Sequence, residues 1–590
     1  MESSPYTVPM RPPKKQEDRF TMPGYGLPLD YCPLAMDAYG IRHRALFPSA
    51  LDDRDAFDAE YMKNWRQDVM STGEDISEKM MDWICDELEF KARFYQRTGT
   101  VNIFNGDVIK ADKTVFSAIA ENMRRATENL ETITHSIGLY RKIAIADSER
   151  SFMHPSLFPL VFGRSRILRN RLIGVDEAID LIGQGEVLKQ PEKPGISRKD
   201  MSWAIASRAD VDVRPFSSRF QWLPTDVGFN ADGSCYLASY VNNLHPEAER
   251  EVYKMIEETL DEIIPIWNLV LTPLVDLLHS RSRIELHKVQ YQKVPDPNDQ
   301  PPAQEPGETD NCYMERLMNW KRERYVVVQP EPGKFSPIAM PPELLDDLPP
   351  ERRSMHRIEP RLDLLKDFGR NRGLQVIIRT IDFGVTPEQP FFDTPWHIDG
   401  QMNEHVCASA LILYVIENTE VVQVEFRQSS DVQPLLDVEH ERGDSIWLEQ
   451  VFGLTNNSPA VQEVGAIRGR IGRVIAWPNL LQHRVHIEAK DHTKPARVRG
   501  VKIMLVDPNI RIISTANVPP QRADWVDGHH DKTPVQWMSR MKREQERKRS
   551  RQEFPLGFDE AYEIFCEFQK ELVAFSHYQD LSFHSKIVQV

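Results

Sequence analysis

Residues 374–399 read LQVIIRTIDFGVTPEQPFFDTPWHID. An apolar, β-branched run passes through a Pro-marked loop into the pair His397-Ile398-Asp399. Alternate residues of an extended chain point to one face, so this spacing aims an imidazole and a carboxylate at a common point. Gly400 follows at once and lets the backbone turn away beside a ligand. Far downstream, GRVIAWPNLLQHRVHIE (472–488) carries another apolar run through Pro478-Asn479 to His483. Two imidazoles and one carboxylate on one side of a metal form the facial triad that suits Fe(II) and leaves positions open for other ligands. A lone His-x-Asp is common by chance. The ordered set is more specific, because its two parts must bracket several strands to be brought together.

Working outward, RYVVVQPEP, HVCASALILYVI, VVQVEFRQ, SIWLEQVFG and RVRGVKIMLVDP are further short, apolar, β-branched runs separated by turn residues. Such spacing predicts an antiparallel barrel or sandwich. The expected fold class is α+β, with a C-terminal double-stranded β-helix (jelly-roll, cupin-like) core at 312–525, wrapped by a largely helical N-terminal region. Upstream, apolar residues recur at three- and four-residue intervals between Asp52 and Ile145, and Asp112 is placed to cap a helix there. GVDEAIDLIGQG (174–185) reads as a short helix closed by Gly. Residues 220–246 read as strand, turn and strand, with Asn230-Ala231-Asp232-Gly233 at the turn. The segment 246–280 is the clearest helix, and Pro265 and Pro273 should kink or split it. The expected divisions are an extended arm at 1–50, a mainly helical region at 51–290, a Pro-rich loop at 291–311, the catalytic domain at 312–525 and a helical tail at 526–590.

Composition narrows the function. The 590 residues are 41% hydrophobic and 27% charged, as in an ordinary globular protein. A formal net charge of -16 repels phosphate backbones, so nucleic acid is not an expected partner. The basic stretch MSRMKREQERKRSRQE interleaves acids and reads as a solvated helix face. Six scattered cysteines without a CxxC pair indicate reduced thiols. No signal-peptide core and no run of about 18 apolar residues is visible, so the expectation is a cytoplasmic protein with no membrane partner. LIGQGEV lacks the ending of a phosphate loop, and no GxSxG elbow supports a hydrolase.

His486 rivals His483, but their odd spacing on a strand puts them on opposite faces, so only one can serve. His405, His440 and His492 have weaker claims. A dicarboxylate co-substrate needs a cation, and a guanidinium meets a carboxylate with two parallel hydrogen bonds. Arg497 and Arg499, on one face of the strand after His483, are the candidates, with Arg499 preferred and Lys502 a third.

Several stretches also resemble a fungal family known as domain of unknown function 4246. They are LPLDYCPLAMDAYG, FQWLPTDVGF, SYVNNLHPEAE, IPIWNLVL and above all WHIDGQMNEHVCASALILYVIENT. The His-x-Asp…His…Arg order is moreover similar to the 2-oxoglutarate and Fe(II)-dependent dioxygenases. That resemblance implies Fe(II) held by His397, Asp399 and His483, and 2-oxoglutarate gripped by Arg499 or Arg497. It further implies dioxygen, and a small-molecule substrate such as a secondary metabolite. The family resemblance further implies that RTIDF (379–383) and NEH (403–405) line the pocket, with Asn403 and Glu404 singled out. The competing expectations are a non-catalytic cupin-like binding protein and a protein-modifying hydroxylase or demethylase. Oligomeric state is not legible.

Overall fold

The computed structural model describes residues 58–526 and 554–590, apart from 73–75, 104–107, 137–143, 147–148, 152, 192–215, 276–282, 295–299, 338–339, 355–360, 370–371, 431 and 442. The expected arm at 1–50 and the basic stretch at 538–553 lie outside the described residues.

The helical spacing of the N-terminal half resolves into α1 (Ala59–Ser71), α2 (Glu78–Thr98) and α3 (Thr114–Ser136). A hairpin of β1 (Thr100–Asn102) and β2 (Ile109–Ala111) separates the last two. Ser77 caps α2 by accepting the Met80 N–H at 3.1 Å, and Gly99 closes it at φ 67. Asp112, just before α3, accepts from Arg473 Nε and Nη2 at 2.7 and 2.8 Å. The 174–185 segment forms only a single 3-10 turn, Ile179–Leu181. The turn read at 230–233 is present, with Gly233 at φ 94 between β3 (Thr225–Phe229) and the strand Cys235–Leu237.

α4 (Arg250–Val275) runs unbroken through Pro265 and Pro273, where a kink or split was expected. An interior proline costs about 3 kcal/mol. Against that, Ile263, Ile266, Trp267, Val270 and Leu271 are all buried. Burial of each contributes about 1.5–3 kcal/mol, so packing outweighs the lost hydrogen bonds. α5 (Asp310–Arg324) and the long C-terminal α6 (Phe558–Phe583) complete the major helices used below.

The later strands are β4 (Leu374–Val385), β5 (Phe391–Asp393), β6 (Val406–Glu417), β7 (Thr419–Ser429), β8 (Val461–Arg468), β9 (Val474–Pro478), β10 (Gln482–Ala489) and β11 (Ala496–Val506). A ten-stranded sheet follows the order β1-β2-β9-β6-β11-β4, then the short strands 149–150 and 144–146, with β3 also on β4. A second sheet has the order β5-β10-β7-β8. Every pairing within both sheets is antiparallel, and among the described residues neither path closes into a barrel. The segment SIWLEQVFG is not a strand. It forms a π-helical turn, Leu448–Phe452, because a helical spacing puts Leu448, Val451 and Phe452 together in the core.

The sheets meet through side chains, with Phe426 of β7 packed on Trp477 of β9 at 5.6 Å. Gly500 permits a close strand approach: a Cβ there would lie 2.6 Å from the Ile412 carbonyl oxygen. β11 is thus clamped between β4 and β6. Its register decides which side chains reach the gap between the sheets. Arg379 pairs with Lys502, and Asp382 pairs with Arg499.

Candidate metal centre

β4 ends in the loop through β5, and the chain then returns along β10 by a bridge in which His397 and His483 exchange backbone hydrogen bonds of 3.2 and 3.0 Å. That bridge puts the two imidazoles 4.3 Å apart, centroid to centroid. Asp399, two residues on, joins them, as period-two spacing requires. Ligand atoms of His397, Asp399 and His483 all lie within 4.8 Å of one another.

Each member is held by a specific partner. The His397 Nδ1 donates to the Pro395 carbonyl at 2.8 Å, which leaves Nε2 with a lone pair. Ser409 of β6 donates its hydroxyl to Asp399 Oδ2 at 2.6 Å. Asn479, from the Pro478-Asn479 turn, accepts the Asp399 N–H at 2.8 Å and donates to the carbonyls of Asp399 and Val406 at 2.9 and 3.1 Å. The Trp477 ring lies 4.7 Å from His483. His483 and Asp399 are buried, whereas His397 is only half-buried and marks the approach to the cluster.

Lys502 sits among these groups. Its Nζ donates to Asp399 Oδ1 at 2.5 Å and to His483 Nε2 at 2.9 Å. His483 therefore carries its proton on Nδ1, an atom that is buried without a hydrogen-bond partner. Burial, the Lys502 ammonium and the neighbouring imidazole push His483 well below the ordinary histidine range. Burial and the same ammonium lower His397 to about 4, against the pull of Asp399. Both rings are thus neutral at pH 7, the form that binds metal. Burial raises the Asp399 carboxyl, but Lys502 and the two histidines outweigh it and hold it below the usual carboxylate range. Burial lowers Lys502 despite the opposing pull of Asp399.

These atoms fit a cation. Metal bonds of about 2.1 Å put ligand atoms about 3 Å apart when cis and about 4.2 Å when trans. The three ligands of a facial set are mutually cis, so a separation of up to 4.8 Å is wider than a bound ion requires, and an ion there draws the three side chains together in place of the ammonium.

The structure does not bring Arg497 and Arg499 to the cluster. They are an odd number of residues from Lys502, so the strand turns them to its opposite face. There Arg497 makes a bidentate pair with Asp382, and Arg499 Nε lies 3.7 Å from the same carboxylate. The arginine facing the cluster is Arg379, beside Lys502, whose charge helps depress both imidazoles. It is ion-paired to Glu149, and its Nε is buried without a partner. His486 faces away and pairs with Asp393 at 2.8 Å. His405 is buried at φ 48, His440 packs on Trp447, and His492 lies near Glu488.

Asn403 and Glu404 bind backbone. Asn403 takes the Ser217 N–H at 2.7 Å, while Glu404 takes those of Trp222 and Gln401 at 2.9 and 2.7 Å. They staple 217–222 to the segment after Asp399. Trp396 lies against Arg427 and Arg484, with guanidinium carbons 4.5 and 4.8 Å from its ring centre. α6 covers the same segment: Phe575 and Tyr578 pack with Met402 and Ile398.

The sequence profile described as "Protein of unknown function (DUF4246)" matches residues 78–529. This chain belongs to the DUF4246 family. No curated protein matches it. Three solved structures are similar to parts of this DUF4246 chain. IDO from Bacillus thuringiensis is 11% identical over 23% of this chain and 46% of its own, with a TM-score of 0.15. The Fe(II)/(alpha)ketoglutarate-dependent dioxygenase TqaL is 10% identical over 28% and 54%, with a TM-score of 0.17. EvdO2 from Micromonospora carbonacea var. aurantiaca is 11% identical over 22% and 52%, with a TM-score of 0.13. Each match spans only about half of the relative's length. Among the described residues no helix is long and apolar enough to cross a membrane.

Proposed function

We propose that this protein is a non-haem Fe(II) oxygenase that uses 2-oxoglutarate and dioxygen to oxidise a small molecule. The observation that carries the reading is the convergence of His397, Asp399 and His483 at the junction of two antiparallel sheets. In this reading the two sheets are the halves of a double-stranded β-helix. When bound, Fe(II) with a 2-oxo acid and dioxygen would supply oxidative decarboxylation coupled to oxidation of a C–H bond.

The chain's own residues do the rest. His397, Asp399 and His483 would hold the ion, with Ser409 donating to the Asp399 carboxylate and Asn479 fixing the Asp399 backbone. Second partners of this kind orient ligands and tune their basicity. Arg379 and Lys502, side by side on neighbouring strands, supply the cations for the co-substrate's carboxylate in place of Arg497 and Arg499. Trp477 and the sheet interior keep water out, and the half-buried edge at His397 and Trp396 admits the substrate. A buried cluster with one half-buried edge suits a small molecule better than a polypeptide.

One observation favours a second reading: Lys502 already satisfies Asp399 and His483, as in a metal-free binding protein. Incubation of anaerobically purified protein with Fe(II), 2-oxoglutarate and oxygen separates the two. Succinate formation that is lost in His397→Ala supports the oxygenase. A folded protein that binds no iron and forms no succinate supports the binding protein.

A further inference from the structure

We propose that Lys502 is a resident cation that competes with the metal for Asp399 and His483, and that a carboxylate ligand promotes metal loading by pairing with the displaced ammonium. The inference rests on the metal-site reading above and adds an order to it.

The lone pairs at issue are the same ones. Asp399 Oδ1 and His483 Nε2 accept from Lys502 Nζ at 2.5 and 2.9 Å, and a metal held by these two residues would draw on the lone pairs that the ammonium occupies. An ammonium and a dication cannot share a buried carboxylate and imidazole at bonding distance, because like charges that close repel strongly in a low-dielectric interior. Metal entry therefore needs Lys502 to move. Lys502 is 8% exposed, so its head group stays inside the protein when it moves and needs an anion there. The neighbouring Arg379 presents a buried Nε–H without a partner on the same face of the sheet. Two cations side by side, one displaced and one with a spare donor, form a place for a carboxylate. By linkage, a carboxylate that binds there must tighten metal binding by the same factor that metal tightens its own.

Mn(II) is the probe, followed by calorimetry and electron paramagnetic resonance, with glutarate as a carboxylate that lacks the chelating 2-oxo group. Lys502→Met should bind Mn(II) about ten- to a hundredfold tighter than wild type, the worth of a charge-assisted hydrogen bond. Glutarate should tighten Mn(II) binding in wild type and leave the variant unchanged. Equal or weaker Mn(II) binding by a folded Lys502→Met protein overturns the competition while leaving the metal site intact. If neither protein binds Mn(II), the metal reading fails and this inference fails with it. A Mn(II)-loaded wild-type structure tests the point without a variant. Lys502 Nζ should have left hydrogen-bond distance of Asp399, and retention of that contact beside the ion refutes displacement.

Discussion

Asn479→Ala should disable the centre without touching a candidate ligand. Asn479 is 5% exposed and makes three side-chain hydrogen bonds, to the Asp399 N–H, the Asp399 carbonyl and the Val406 carbonyl. Alanine leaves one buried donor and two buried acceptors facing a methyl group. Each unsatisfied group costs about 1–3 kcal/mol, but the carbonyls relax more readily than the N–H, so a loss of about 3–5 kcal/mol is expected overall. The same change frees the backbone of the aspartate that must aim at the ion, and loss of such a supporting residue costs about 10–100-fold in metal affinity. Urea unfolding monitored by tryptophan fluorescence and equilibrium dialysis with Fe(II) under argon read the two effects separately. A variant within about 0.5 kcal/mol of wild type with unchanged iron affinity refutes the account of how Asp399 is positioned.

Three other outcomes follow from the packing. Burial pushes the Glu404 carboxyl up to about 7, against the backbone N–H groups of Trp222 and Gln401. Its folded value exceeds its unfolded one, so its contribution to stability is present below about pH 4.3 and is lost as pH rises towards 7. Thermal unfolding from pH 4 to 8 should fall more steeply for wild type than for Glu404→Leu, and parallel curves would exclude Glu404 as the cause. Glu87 takes Arg283 through both oxygens at 2.8 Å and Lys91 at 2.8 Å, deep in the helical layer. Glu87→Gln removes the carboxylate that both cations bind and should cost about 3–5 kcal/mol in urea unfolding; a loss under about 1 kcal/mol contradicts this. Gly500→Ala drives a methyl into the Ile412 carbonyl and Leu413 and should destabilise by about 1–3 kcal/mol, whereas an unchanged unfolding midpoint shows that β6 and β11 lie farther apart.

Much of this site was legible because strand parity is a rigid rule. His397 and Asp399 share a face, and His483 and His486 do not, for the same geometric reason. Parity also made Arg499 and Lys502 alternatives, since 499 and 502 cannot face the same way. Sequence alone could not say which of the two faces looks into the gap between the sheets; the pairing of β11 with β4 and β6 decides that. The family resemblance put RTIDF at the pocket, but the role of Arg379 was hidden for a related reason. This arginine lies more than a hundred residues before Lys502, and only the register places them side by side. Local propensity misled in two places where burial overrides it. α4 passes two prolines because its apolar faces are packed, and SIWLEQVFG, apolar enough for a strand, coils into a π-helical turn to bury Trp447, Leu448 and Val451 together. Ser409 and Asn479 needed no unusual residue type; the WPN turn before His483 was the signal for Asn479, and nothing in the sequence marked Ser409.

Iron stoichiometry in single-histidine variants tests the central claim most directly. Wild type and His486→Ala, reconstituted under argon and freed of excess metal, should each retain about one Fe(II) per chain, while His483→Ala should retain none. Iron retained by His483→Ala at the wild-type level, or none retained by wild type, contradicts the account.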